Sequence, residues 1–237
     1  MTVRRIVAVT GVLWFTTTAA AFVASPHGVT VHSLRRLTTT VPATGLNRLD
    51  LSIAGGSNGV EVRAASPTDG RGRDAVDVEV FVHGGGALPW ISKPSPDLGP
   101  VALDASRSGD GLRLGLSGLS GVLPESIKTL WTIYVPVRFA ARIAVGSGRV
   151  TLLGLEGGLD VDVAVGNIRA KVPNARVGSI DLHSTVGRSS VRLDGEEIRA
   201  PWEYGPGSHV RLGGVGAGAD AIRLRVTVGD ASLVVAR

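Results

Sequence analysis

The sequence predicts an all-β fold, a β-solenoid of stacked strand–glycine turn–strand rungs behind one N-terminal membrane helix. An antiparallel β-sandwich is the competing architecture. Three observations lead there. Of 237 residues, 33 are Gly and only 4% are aromatic, which leaves a core of Val, Leu, Ile and Ala suited to short strands and tight turns. Apolar and polar residues alternate around glycines, the period of a strand with one buried face. An aliphatic-Gly step (once Tyr-Gly) recurs in the second half at Gly146, Gly166, Gly187, Gly205 and Gly229, with spacings of 20, 21, 18 and 24 residues. A sustained period near 21 residues is the signature of a repeat architecture.

Taken in chain order, the first element is the leader. Met1 to Arg5 is short and basic, and Ile6 to Ala24 is 19 residues without a charge. A spanning helix needs about 20 apolar residues, and a cleaved signal needs a shorter core followed by small residues such as Thr18-Ala19-Ala20-Ala21. The reading is a signal-anchor or signal peptide over 1–24, with membrane anchorage through residues 6–24 or secretion after cleavage. In both cases the rest of the chain lies outside the cytoplasm, because Arg4 and Arg5 favour an N-terminus inside. Residues 25–45, threonine-rich between Pro26 and Pro42, read as a spacer, and 46–237 as the repeat domain.

Strand signals open at Leu49-Asp50-Leu51-Ser52-Ile53, turn at Gly55 to Gly59 and resume at Val60-Glu61-Val62. The same grammar returns at Val101 to Leu114 around Ser108-Gly109-Asp110-Gly111. Two stretches interrupt it. His83 to Pro100 holds four of the 12 prolines, together with Trp90 and Ile91, which would contact a partner or cover a sheet edge. Gly118 to Thr129, around Pro124, reads as a second surface connection. Beyond Trp131 each glycine turn leads into a second short strand, as in Ile168-Arg169-Ala170, Val191-Arg192-Leu193 and Val210-Arg211-Leu212. Such a unit cannot bury its apolar faces alone, and stacking copies makes a continuous core.

The run Trp131-Thr132-Ile133-Tyr134-Val135-Pro136-Val137, followed by Ala144 to Val150 and the rungs after it, resembles the bacterial putative-adhesin family of β-strand-repeat proteins. In that family a strand ending near a proline leads into repeated Ser-Gly-Asp turns. Ser108-Gly109-Asp110 matches that turn literally, Ser147-Gly148-Arg149 and Val228-Gly229-Asp230 match it loosely, and Gly166-Asn167, Gly187-Arg188 and Gly205-Pro206 depart from it. The resemblance spans about Leu46 to Arg237. It implies an exported, envelope-associated repeat domain and brings no catalytic residues with it.

Charge and composition exclude more than they assign. With no Cys, disulfide frameworks, thiolate metal sites and cysteine nucleophiles are absent. The formal charge of +5 falls to +3 beyond the leader, where 23 basic residues meet 20 acidic ones. Three Lys and 22 Arg, spread along the chain, argue against a nucleic-acid partner. Arg169, Arg192 and Arg211 hold equivalent places after three turns, so stacked rungs would align them as a basic stripe for anionic envelope polymers. Asp160, Asp162, Asp181 and His183 share a strand face at one-period spacing, the single cluster suited to Ca²⁺ or to carboxylate acid–base chemistry. A solvated strand exterior carries the same residues. No metal, cofactor or catalytic residue is assigned.

The function expected is a non-enzymatic, membrane-anchored, adhesin-like protein whose partner is a cell-envelope polymer or envelope protein. A polysaccharide-active enzyme built on a solenoid and an envelope-stress sensor are the alternatives.

Overall fold

In the computed structural model the described residues are 17–25, 28–66, 71–85, 96–119, 127–199, 207–215 and 218–236. Their one helical turn is the 3-10 segment Asn174–Arg176. Everything else regular is strand: β1 (Thr17–Ser25), β2 (Gly28–Pro42), β3 (Arg48–Ile53), β4 (Ser57–Ala64), β5 (Ala75–Gly85), β6 (Ala102–Ser108), β7 (Gly111–Ser117) and β8 (Ile127–Val135). There follow β9 (Ala140–Leu153), β10 (Leu159–Pro173), β11 (Val177–Val186), β12 (Ser189–Leu193), β13 (Glu196–Arg199), β14 (Ser208–Gly213), β15 (Asp220–Val228) and β16 (Ala231–Ala236). They form one 16-stranded mixed sheet that does not close into a barrel.

Alternation sets the inner face. In β9, Ala141, Ile143, Val145, Val150 and Leu152 are buried, and in β10 so are Leu159, Val161, Val163, Ile168, Ala170 and Val172. Each of these long strands has a glycine midway, and the inward residues on both sides of it belong to one hydrophobic cluster. Each strand is therefore two arms around a corner. First arms run side by side and parallel in the order β7, β3, β9, β10, β15, β11. Second arms do the same in the order β8, β4, β9, β10, β16, β12. Antiparallel strands flank this stack: β6 on β7 and β14 on β11 beside the first arms, β5, β2 and β1 beyond β8 and β13 on β12 beside the second.

The corners line up as a column of glycines. Gly148, Gly166, Gly229 and Gly187 have φ between 133° and 144°, a region closed to residues with a Cβ. A Cβ on Gly166 would stand 1.7 Å from the Gly148 carbonyl oxygen, on Gly229 1.7 Å from that of Gly166, and on Gly187 1.9 Å from that of Gly229. Asn58 heads the column: its own carbonyl faces Gly148, while its amide donates to Gly55 O at 2.6 Å and Ser147 O at 3.1 Å and its Oδ1 accepts from Thr129 Oγ1 at 2.6 Å.

The structure differs from the expected arrangement in several places. Gly166 stands opposite Gly148 rather than Gly146, and Gly205 lies outside the described residues. The stack does not follow chain order, since β7 and β8 lie outside β3 and β4, and β15 and β16 enter between β10 and β11–β12. What the structure gives is the all-β mixed sheet, not a coil of successive rungs. Its predominantly parallel inner pairings also differ from a hairpin-built antiparallel sandwich. At the N-terminus, Thr17–Ser25 is a strand paired with β2, and residues 28–42, read as spacer, are β2 itself, with Leu37 and Thr39 buried. In β2 the β-branched run Thr38-Thr39-Thr40-Val41 suits a pleated surface. Among the described residues no helix is long and apolar enough to cross a membrane, so the expected membrane helix is not seen, and residues 1–16 lie outside the description.

Candidate binding surface

The outer side of the first arms carries a row of charges in strict alternation. Register places Arg113 of β7 opposite Asp50 of β3, Asp50 opposite Arg142 of β9, and Arg142 opposite Asp160 of β10. Asp160 stands opposite Arg223 of β15, Arg223 opposite Asp181 of β11, and Asp181 opposite Arg211 of β14. The ion pairs run along and diagonally across the row: Arg48 Nε to Asp50 Oδ2 at 3.2 Å, Arg142 Nε to Asp160 Oδ2 at 4.0 Å, Arg225 Nη2 to Asp160 Oδ1 at 3.9 Å and Arg211 Nη2 to Asp181 Oδ2 at 3.4 Å. Exposed pairs of this kind add little stability each, but opposite charges directly across a ladder favour one neighbour over another.

The acidic cluster expected at one-period spacing is taken apart by this order. Asp160 and Asp162 sit on β10, Asp181 and His183 on β11, and β15 lies between them with Arg223 and Arg225. Among the described residues no three His, Asp or Glu side chains are grouped to hold a metal ion. What forms instead is a small polar network at the β14 side. His209 Nε2 lies 2.7 Å from Asp181 Oδ1, and the His183 and His209 rings meet edge-on at 5.5 Å. Partial burial pushes the Asp181 carboxyl up, but the hydrogen bond and charge of His209, with the charge of Arg211 behind them, outweigh it and hold the group below its ordinary value.

The arginine stripe is likewise dispersed. Arg169 lies on the second arm of β10, between Thr151 and Ser232. Arg192 faces Val234 and Glu197, and its Nη2 is 3.8 Å from Glu197 Oε2. Arg211 is on β14, beside the first arms. Equivalent sequence positions thus land at two levels and on two sides of the molecule, because β14 pairs antiparallel with β11 instead of continuing the stack. Trp90 and Ile91 lie outside the described residues. The returning end of their loop is docked on β2: Leu98 is buried, Ser33 Oγ donates to Pro96 O at 3.0 Å, and Arg35 donates to the carbonyls of Leu98 and Gly99.

Sequence reasoning missed a polar cleft of ≈ 510 Å³ at the glycine column, on the outer side of β10, β16 and β12. Arg169 is in it, as are Asn167, Asp230 and Ser232. Strand pairing assembles this group from positions more than 60 residues apart in sequence, so no local spacing marks it.

No protein-family model and no curated protein matches the chain. Among solved structures, a putative cell adhesion protein from Clostridium sporogenes ATCC 15579 aligns with 85% of this chain and 99% of its own, at TM-score 0.45 and 12% identity. A putative adhesin from Bacteroides fragilis NCTC 9343 aligns with 84% and 96%, at TM-score 0.31 and 11% identity. Likeness at this level carries neither fold nor function across to this chain.

Proposed function

We propose that the protein is a non-enzymatic, adhesin-like binding module of the bacterial cell envelope, exported and presenting its sheet outside the cytoplasm. The strand–glycine–strand units are solenoid-type rungs stacked out of chain order. The observation that carries the functional reading is the charged row: seven side chains of alternating sign fixed on neighbouring strands. Like charges there recur at roughly 10 Å, twice the strand spacing. A surface with a fixed repeat suits a partner with a repeat of its own, since many weak contacts add when both are periodic. An envelope polymer is such a partner.

Sedimentation of the full chain with isolated cell-wall sacculi tests the proposal. The wild type pellets with the sacculi, and the triple variant Arg113→Ser, Arg142→Ser, Arg223→Ser binds about tenfold more weakly, on the order of 0.5 kcal/mol per lost contact. Wild type left in the supernatant, or a variant that pellets equally well, overturns it.

A further inference from the structure

The cleft at the glycine column is lined by hydrogen-bonding side chains together with Ile168, Ala231 and backbone at Gly187 and Gly207. Its upper row is Asn167 of β10, Asp230 just before β16 and Arg188 just before β12, joined across the strands because Ile168 N donates to Asp230 O at 2.9 Å and Ala231 N to Arg188 O at 2.9 Å. The lower row is Arg169, Ser232 and Ser190, which are register partners. Between the rows lie Ile168, Ala231 and Ser189, which are buried, so the side chains most available to a ligand are the polar ones of the two rows. Glu197 forms one wall, and Gly207 and Ser208 form another.

The chemistry of this floor is two-handed. Asn167 spends its Oδ1 on Asp230 N–H at 3.0 Å, which leaves its amide N–H groups to donate. Asp230 Oδ1 accepts from Arg188 N–H at 2.9 Å, and the carboxylate keeps acceptor capacity. Ser232 donates weakly to Ile168 O at 3.3 Å, and its lone pairs can accept. Ser208 Oγ is buried and has no hydrogen-bond partner among the described residues. Glu197 is within 3.8 Å of Arg192. Arg169, by contrast, is flanked across the sheet by Thr151 and Ser232, neither of them charged. At about 4.8 Å between strands and about 7 Å between alternate residues, the six floor positions cover the area of one to two sugar rings.

We infer that this cleft is a saccharide subsite for an acidic glycan unit, with Arg169 receiving the sugar carboxylate and Asn167, Asp230, Ser190 and Ser232 pairing with ring hydroxyls. Hydroxyls require donors and acceptors side by side, which the floor supplies. A planar guanidinium that no carboxylate pairs with among the described residues is the group that takes a carboxylate in two parallel bonds. The inference deepens the binding-module reading and stands on different residues from the charged row.

Calorimetric titration of the full chain in detergent with trigalacturonic acid, maltotriose and glycerol 3-phosphate tests it. Trigalacturonic acid binds with Kd on the order of 0.1–1 mM, as a short polar ligand does, and maltotriose binds at least tenfold more weakly. Arg169→Ser weakens trigalacturonic acid at least tenfold and leaves sacculus sedimentation by the charged row in place, whereas the triple variant Arg113→Ser, Arg142→Ser, Arg223→Ser does the reverse. Absence of trigalacturonic acid binding, or binding unchanged in Arg169→Ser, overturns the subsite. Equal affinity for maltotriose overturns the carboxylate assignment, and tighter binding of glycerol 3-phosphate overturns the sugar in favour of a phosphate-bearing polymer. Loss of sacculus binding with the cleft titration intact would remove the charged-row reading alone.

Discussion

At the scale of the residue, the glycine column is the tightest constraint in the molecule. Gly166 has φ 144° and no room for a methyl group beside the Gly148 carbonyl. Gly166→Ala combines a forbidden backbone region with a backbone clash, and each costs about 1–3 kcal/mol. A urea midpoint shift equivalent to about 3 kcal/mol or more is expected. Gly45→Ala, with φ 75° and open space around the added methyl, loses only about 1 kcal/mol. Equal losses at the two sites would show that the corner tolerates a side chain. Asp181 supplies a second test. Its carboxyl is held below the ordinary value, so the stabilisation is complete above the unfolded value of about 3.9 and disappears as pH falls through the lower folded value. The melting-temperature gap between wild type and Asp181→Asn should therefore be open at about pH 5, above the unfolded carboxylate value, and narrow as pH falls through the lower folded value. A gap that persists at pH 2 would mean that the substitution acts through packing instead of charge.

Elements choose their neighbours partly through charge. Had β11 stacked on β10 at its present level, Asp181 would face Asp160. Had β7 entered between β3 and β9, Arg113 would face Arg142. The observed order avoids both by setting Arg223 of β15 between the aspartates and Asp50 between the arginines. Arg223→Asp makes three carboxylates adjacent and should destabilise by roughly 0.5–2 kcal/mol beyond Arg223→Ser, because it adds two cross-strand repulsions that the serine lacks. Chemical denaturation that finds the two variants equal would assign the stacking order to packing alone. Alternation at Leu49-Asp50-Leu51, and the corners at Gly166, Gly187 and Gly229, were legible in the sequence because each is a local pattern. Which arm lies beside which was not, since a period of about 21 residues is satisfied by any order of the rungs. For that reason Asp160, Asp162, Asp181 and His183 looked like one cluster until β15 came between them. Gly148 was passed over for Gly146 because only the pairing with β10 tells the two apart. Of the candidate sites, Arg169 was found for its place after a turn, while its cleft partners Asp230 and Ser232 arrive from the end of the chain.

On the whole-molecule scale, the two sides of the stack have different characters. The six first arms and the flanking β14 carry a continuous charged row, and the second arms carry the compact cleft. The two proposed contacts, polymer on the former and one acidic sugar unit in the latter, use different residues, so loss of either should leave the other measurable. The sheet remains open at β1, β6, β13 and β14, each of which has a single pairing partner among the described strands, and the charged row ends on Arg211 of one such strand. Alternation has an effect well away from the surface. Fields from charges of opposite sign spaced about 5 Å apart cancel within a distance comparable to their repeat, shorter than the screening length of dilute buffer. The row is therefore electrically quiet from afar and structured only at contact, leaving the dispersed excess of +3 as the long-range attraction. Association with sacculi should proceed at an unsteered rate, on the order of 10⁵–10⁶ M⁻¹s⁻¹, and change less than about threefold between low and physiological salt. A steep fall in that rate with added salt would show that the partner senses a field the alternating row does not project.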